Sequence, residues 1–438
     1  MAHLTIKNFG PIKDIDIDLK RLNVFIGPQS SGKSSIAKVI SFCQWLGKDC
    51  VRRQRVSHVD KDFTDKLFIE YHNVGDYVTE DTYFRYKDDI LTIEYIGGVP
   101  TVKRGEGFKQ AGISKNAYIP SERNLISVPG IFTTKMPFNY IKSFLDDWQQ
   151  VRSRYGKEHT ARIAPTHDSY YFDEGSDTDM ILMPGGATIH LSQASSGMQS
   201  VTPLAVYVNY LTDWIYTHEE MQSAEETRNL EMAALAKAIE SRSTGETKVG
   251  FLDYMNDKDT PPDIEESFRS VLESIRGIGA LAPENTQGIL KDMVMFRKEL
   301  SRPRFSNLVI EEPEQNLFPE TQCRLIEHIL GNMNHERDKA VITTHSPFVL
   351  YSINNCMVGY LAAQKDKNAI EAMTDIPTTA FINPEEVCVR ELRDGHIIGM
   401  KGEENGTIQD ERGLIRDNYF NRVMGNVMGE FRNLLGML

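Results

Sequence analysis

Leu22-Asn23-Val24-Phe25-Ile26-Gly27-Pro28-Gln29-Ser30-Ser31-Gly32-Lys33-Ser34-Ser35-Ile36-Ala37-Lys38-Val39-Ile40 is the stretch that decides how this chain folds. It opens as an apolar run of strand length and closes with helical spacing. Between the two lies G-x-x-x-x-G-K-S. Glycines at its ends admit backbone angles closed to other residues, so successive N–H groups can turn inward around phosphate oxygens. The start of the helix adds unpaired N–H groups and the positive end of its dipole. Lys33 supplies a point charge for the β- and γ-phosphates, and Ser34 a hydroxyl for Mg²⁺. The pattern therefore predicts a nucleotide-phosphate cradle with Mg²⁺ at Gly27 through Ser34, a site that many nucleotide-binding proteins share.

Working outward, the residues before this stretch read as a hairpin: Leu4 to Phe9, a turn at Gly10-Pro11, then Ile12 to Leu19 alternating apolar and polar. The helix after it is expected to stop near Gly47. Phe68 to Tyr71, Thr82 to Tyr86 and Leu91 to Ile96 read as strands of an antiparallel patch. Ala117 to Ile119 is a strand that ends in the polar elbow Pro120-Ser121-Glu122-Arg123-Asn124. Helical spacing over 137–158 places Tyr140, Phe144, Leu145 and Trp148 on one side. Tyr170 to Leu191 reads as further strands turning at Pro184-Gly185-Gly186. The cluster Ser192-Gln193-Ala194-Ser195-Ser196-Gly197 then opens a helix running to about Trp214. Residues 215–300 read as mostly helical and polar, including Leu230 to Ile239 and Ile264 to Ile278.

Further on, Leu308-Val309-Ile310-Glu311-Glu312-Pro313-Glu314 is an apolar strand ending in carboxylates. Mg²⁺–phosphate chemistry needs one carboxylate to hold the metal's hydration shell and a neighbour to orient or deprotonate the attacking water. After a helix from Glu320 to Leu330, the strand Ala340 to Thr343 leads to His345 at its C-terminal end. That is the edge where α/β sheets place ligands. Val387 to Met400 reads as a hairpin turning at Asp394-Gly395. Tyr419 to Leu435 reads as a helix with Phe420, Val423, Val427, Phe431 and Leu434 near one face.

The chain has 438 residues and a net charge of −13, which argues against a surface that coats nucleic acid. Positive residues are nonetheless concentrated between Lys103 and Arg162, a stretch that could meet DNA or an acidic partner. No apolar run approaches the ~20 residues needed to span a membrane. The five cysteines form no Cys-x-x-Cys pair, so they are expected to be reduced and to hold no zinc, as in a cytoplasmic protein.

Phosphate loop, Ser-Ser-Gly helix start, acidic strand and strand-end histidine, in that order, resemble the ABC-type ATPase heads. Within them the chain is most similar to the soluble branch with the RecF and SMC heads and the OLD-family ATPases. Tyr118 to Asn124 and Ile310 to Pro319 look like ATPase subunits of bacterial anti-phage systems, among them the Septu, PARIS and retron-linked ATPases.

The resemblance implies an α/β fold, an ABC-type head with a mixed central sheet, an antiparallel β patch and a large, mostly helical insertion. Its expected divisions are 1–135, the ATPase lobe; 136–300, the helical lobe with a signature near 192–199; and 301–438, the lobe's completion. By resemblance, Gly27, Pro28, Gln29, Ser30, Ser31, Gly32, Lys33, Ser34 and Ser35 bind the triphosphate, and Ser34 and Glu311 hold Mg²⁺. Glu312 is the catalytic base and His345 the γ-phosphate switch. Ser195, Ser196 and Gly197 form the signature that caps ATP bound to the opposite protomer, and Asn316 lies in a loop crossing the dimer interface. Glu122 and Arg123 are candidates for the family's glutamine-bearing loop. Such heads close as homodimers or larger homo-oligomers.

OLD-type enzymes carry a nuclease module with an Asp-x-Asp pair for two metals. The residues after His345 contain no such pair. The expected function is thus an ATPase that senses infection and controls a separate effector, a nuclease or toxin. The alternative is a RecF- or SMC-like ATPase of DNA repair or chromosome maintenance that binds DNA directly.

Overall fold

The computed structural model describes residues 2–217, most of 230–241, 283–333, 337–366 and 373–437. The expected helix Ile264 to Ile278 lies outside the described residues, as does part of Leu230 to Ile239.

Among the described residues an eleven-stranded sheet organises the chain. Its centre is parallel: β7 (Ser114–Ile119), β12 (Phe305–Glu311), β13 (Lys339–Thr343), β3 (Leu22–Ile26) and β14 (Val387–Arg393) lie side by side in that order. β15 (His396–Ile398) turns back antiparallel on β14 and joins the antiparallel wing. That wing comprises β2 (Ile12–Leu19), β1 (Ala2–Phe9), β4 (Tyr83–Lys87), β5 (Leu91–Ile96) and β6 (Val99–Arg104). The fold is therefore α/β with a mixed sheet. Residues 1–135 and 301–438 share this one sheet. A separate four-stranded sheet holds β8 (Ala161–Arg162), β9 (Ser169–Asp173), β10 (Thr178–Leu182) and β11 (Thr188–His190).

The central strands are apolar over most of their buried length because both faces are covered. Val24, Ile310 and Ile342 face one core, under α3 (Ser196–Asn209), α5 (Pro319–Asn332) and α6 (Pro347–Ala363). Phe25, Val309 and Val341 face the other, under α1 (Lys33–Arg53). The chain also forms α2 (Tyr140–Arg152), α4 (Pro283–Ser301) and α7 (Tyr419–Leu435).

Two local expectations are corrected. α1 does not stop near Gly47 but runs to Arg53, closed by Gln54 at φ 52°. Gly47 sits in open space, while Cys43, Leu46 and Cys50 continue the buried stripe past it, so packing outweighs the glycine's weak helix propensity. Phe68 to Tyr71 is not a strand; Asp65–Glu70 forms a π-helical turn. Thr64, Phe68 and His72 are the buried positions, at four-residue spacing, and Phe68 stacks 4.7 Å from Phe42. Aromatic composition imitated a strand there, but burial follows the helical period.

Candidate nucleotide site

β3 delivers its C-terminal edge into the turn Gly27 to Gly32, and α1 leaves from it. Gly27 has φ 148° and Gly32 has φ 103°, both closed to ordinary residues. A Cβ on Gly27 would lie 2.3 Å from the Leu392 carbonyl oxygen, so β14 also forbids a side chain there. The N-terminus of α1 has no side-chain cap and no acid in its first turn, which leaves its N–H groups for an anion. Gln29, Ser30 and Ser34 are exposed, whereas Ser31, Lys33 and Ser35 are buried.

Lys33 lies folded over the loop. Its Nζ donates to the carbonyls of Gly27 at 3.0 Å and Pro28 at 2.8 Å. Burial lowers its pKa to about 8, against the opposing attraction of Glu312 and Glu314. An incoming phosphate would meet an ammonium whose charge is poorly solvated.

The acids arrive from β12, one strand removed from β3. Glu311 is 5% exposed, and burial raises its pKa; Ser34, Lys38 and Tyr118 lie against the carboxylate and favour its charged form. Glu311 Oε1 and the Tyr118 hydroxyl are both buried without a hydrogen-bond partner among the described residues. An orphaned carboxylate oxygen beside a serine hydroxyl at a phosphate loop fits a hard, oxygen-seeking cation such as Mg²⁺.

Glu312 follows with φ 44°, a left-handed conformation that costs a non-glycine residue about 1 kcal/mol. Its N–H donates to the Thr343 carbonyl at 2.9 Å, tying the turn to β13. Its carboxylate Oε1 lies 3.3 Å from His345 Nε2. The hydrogen bond from His345 is the first cause lowering its pKa, with Lys33 and Arg123 adding to it. Glu312 is thus charged and oriented at the mouth of the loop.

Two further residues, Glu314 and Arg123, hold this geometry. Glu314 Oε1 accepts the backbone N–H of His345 at 2.5 Å, and burial raises its pKa. Arg123 is fully buried, and its guanidinium donates to the carbonyls of Glu311 at 2.9 Å, Glu312 at 2.8 Å and Pro313 at 3.2 Å. It also reaches the Ser200 carbonyl on α3 at 3.1 Å. Arg123 therefore clamps the acidic turn. Its partners are carbonyls nearly two hundred positions away, a relation no local pattern reveals. Glu122 instead accepts from the Tyr140 hydroxyl at 3.3 Å and lies within electrostatic reach of Glu311 and Lys38.

Ser195 caps α3, its Oγ accepting from Met198 N–H at 3.4 Å, and Ser195 and Ser196 are exposed. A Cβ on Gly197 would lie 3.0 Å from the Asn316 carbonyl oxygen. Asn316, at φ 60°, donates to Ser200 Oγ at 3.1 Å. The helix start and the loop after the acids thus form one surface. Among the described residues no hydrogen bond joins Ser195, Ser196 or Gly197 to the phosphate loop of the same chain.

The cations between Lys103 and Arg162 do not make one continuous face. Arg123 and Arg152 are buried, and Lys115, Lys142 and Lys157 pair with Asp147, Asp146 and Asp173.

Residues 1–73 match the family model of an AAA ATPase domain. Among solved structures the chain is similar to the SMC head domain from Thermotoga maritima, at 12% identity over 80% of this chain and 90% of that one, with TM-score 0.31. It is also similar to the recombination mediator RecF, at 10% identity over 90% and 96%, TM-score 0.29. A dimeric bacterial ABC transporter cassette aligns at 11% identity over 92% and 98%, TM-score 0.24. No curated protein matches the chain. No described helix is long and apolar enough to cross a membrane.

Proposed function

We propose that the chain is an ABC-type ATPase that binds ATP with Mg²⁺, closes on a second copy of itself, and thereby controls a separate effector, a nuclease or toxin, in anti-phage defence. The observation that carries the ATPase reading is the convergence of Gly27–Ser35, Glu311 and the Glu312–His345 pair at one sheet edge.

The loop N–H groups and the N-terminus of α1 hold the β- and γ-phosphates. Lys33 exchanges its carbonyl partners for phosphate oxygens and regains a fully stabilised charge. Ser34 and Glu311 would hold Mg²⁺, which would supply positive charge opposite the phosphate oxygens. Glu312 accepts the proton of the attacking water, and His345 orients that carboxylate through its Nε2. Arg123 and Glu314 position the acids and His345 without touching substrate. Ser195, Ser196 and Gly197 of a second copy complete the γ-phosphate cage, in keeping with the exposure of Ser195 and Ser196.

The effector role draws its support from the likeness of Tyr118 to Asn124 and Ile310 to Pro319 to anti-phage ATPases. The burial of Arg123 and Arg152 and the pairing of Lys115, Lys142 and Lys157 weaken the 103–162 stretch as a DNA-binding face and favour this role over direct DNA binding.

Phosphate release by the purified chain tests the enzymatic reading. Turnover that needs Mg²⁺ and vanishes in Glu312→Gln is expected; turnover unaffected by chelation or by that substitution would refute it. Affinity capture from the native host tests the effector role. A stoichiometric nuclease or toxin is expected, and ATP-dependent DNA binding by the chain alone would favour the repair reading.

A further inference from the structure

We infer that α7 is an assembly surface for a second copy of this chain, separate from the ATP-closed face and available without nucleotide. No residue of α7 is buried. Met424, Val427, Met428, Phe431, Leu434 and Leu435 are each between 47% and 66% exposed. Their spacing places all six on one stripe, broader than the two-position seam of a simple coiled coil. Together they expose on the order of 600 Å² of apolar side chain, at the upper limit for an unpartnered patch and approaching the ~800 Å² per partner of a standard interface.

The helix is held out rigidly. Asn418 is 1% exposed and caps it by accepting the Asn421 N–H at 3.2 Å. Glu391, 2% exposed on β14, accepts the Tyr419 N–H at 3.0 Å and pairs with Arg422 and Arg393. The Tyr351 hydroxyl of α6 donates to Asn421 at 2.7 Å. These contacts fix the first turn and leave the apolar stripe beyond it unpartnered among the described residues.

Charge selects the occupant. The stripe itself carries no cation, and Arg422 is engaged by Glu391 and Asp417. A chain of net charge −13 with so few helix cations is repelled by an anionic lipid surface. An uncharged apolar stripe is complementary to itself, and a twofold axis brings identical stripes together. The mount also adjoins the nucleotide site, since Glu391 pairs in register with Ile26 and the Leu392 carbonyl abuts Gly27. Assembly through α7 would therefore gather phosphate loops at fixed spacing before ATP arrives.

Sedimentation of the full chain without nucleotide tests this. The wild type should run as a dimer or larger, and Val427→Glu with Phe431→Glu should run at monomer mass, with the wild-type circular-dichroism spectrum and the wild-type affinity for ATP. Oxidation of Phe431→Cys should give an intermolecular disulfide absent from the wild type. A monomeric wild type without nucleotide, assembly that survives the double substitution, or α7-dependent binding to phosphatidylglycerol vesicles in place of self-association would each overturn the inference.

Discussion

Arg123 is hydrogen-bonded to the backbone of Glu312, not to its carboxylate. The Arg123 Nη2 donates to the Glu312 carbonyl oxygen at 2.8 Å, while the Glu312 carboxylate is left to face His345 at 3.3 Å. A buried cation thus fixes the turn without neutralising the base it positions. Burial lowers the Arg123 pKa to about 10, with the neighbouring glutamates opposing the shift.

Arg123→Met should leave several carbonyl oxygens buried without donors and cost about 3 kcal/mol or more. Arg123→Lys keeps the charge but lacks the planar fork that reaches three consecutive carbonyls, so it should not restore turnover. Thermal unfolding together with steady-state hydrolysis checks both.

Glu312→Gln should bind ATP normally and lower turnover by about 10² to 10⁴-fold, the range for loss of a positioned base. In a chain that also carries Val427→Glu and Phe431→Glu, the trapped ATP state should accumulate as a closed dimer, seen as a nucleotide-dependent mass increase in light scattering. The two added substitutions separate this closure from assembly through α7.

Binding of ATP should take up protons near pH 8. The free-state pKa of Lys33 is lowered to about 8, so at that pH a good share of the molecules carry a neutral amine. Phosphate favours the ammonium and raises the pKa, which draws in a proton. Affinity should therefore fall as pH rises above about 8. Calorimetry in buffers of different ionisation enthalpy reads the uptake, and Lys33→Arg should remove it.

Glu311→Gln should stabilise the metal-free chain at pH 8 while abolishing Mg²⁺-dependent turnover. The folded-state pKa of Glu311 is raised by burial above its ordinary 4.5, so the folded chain binds that proton more tightly than the unfolded one. Its contribution to stability is accordingly lost as pH rises through the raised value. The amide carries no charge to desolvate. Melting temperatures at pH 5 and pH 8 should differ less in the variant than in the wild type.

Ser195→Arg should leave ATP affinity intact and block closure, because the residue is exposed and makes no hydrogen bond to its own phosphate loop. Loss of ATP binding by the variant would contradict a role across the dimer.

The sequence was legible wherever function and fold depend on neighbours in the chain. Gly27 to Ser35 announces itself because strand, glycine turn and helix start are contiguous, and their spacing alone builds the phosphate cradle. The apolar runs ending in Glu311 and before His345 were readable for the same reason: strands buried on both faces are apolar over most of their length. By contrast, the misread strand at Phe68 shows composition yielding to packing, since its neighbours Phe42 and Phe84 come from other elements. Tertiary structure alone decided that β13 would stand between the phosphate loop and the acids, that Arg123 would hold their backbone, and that Glu314 would seize the His345 N–H. Each of these contacts has a backbone group on at least one side, and every residue carries such groups alike. Only the folded chain's geometry selects which of them meet.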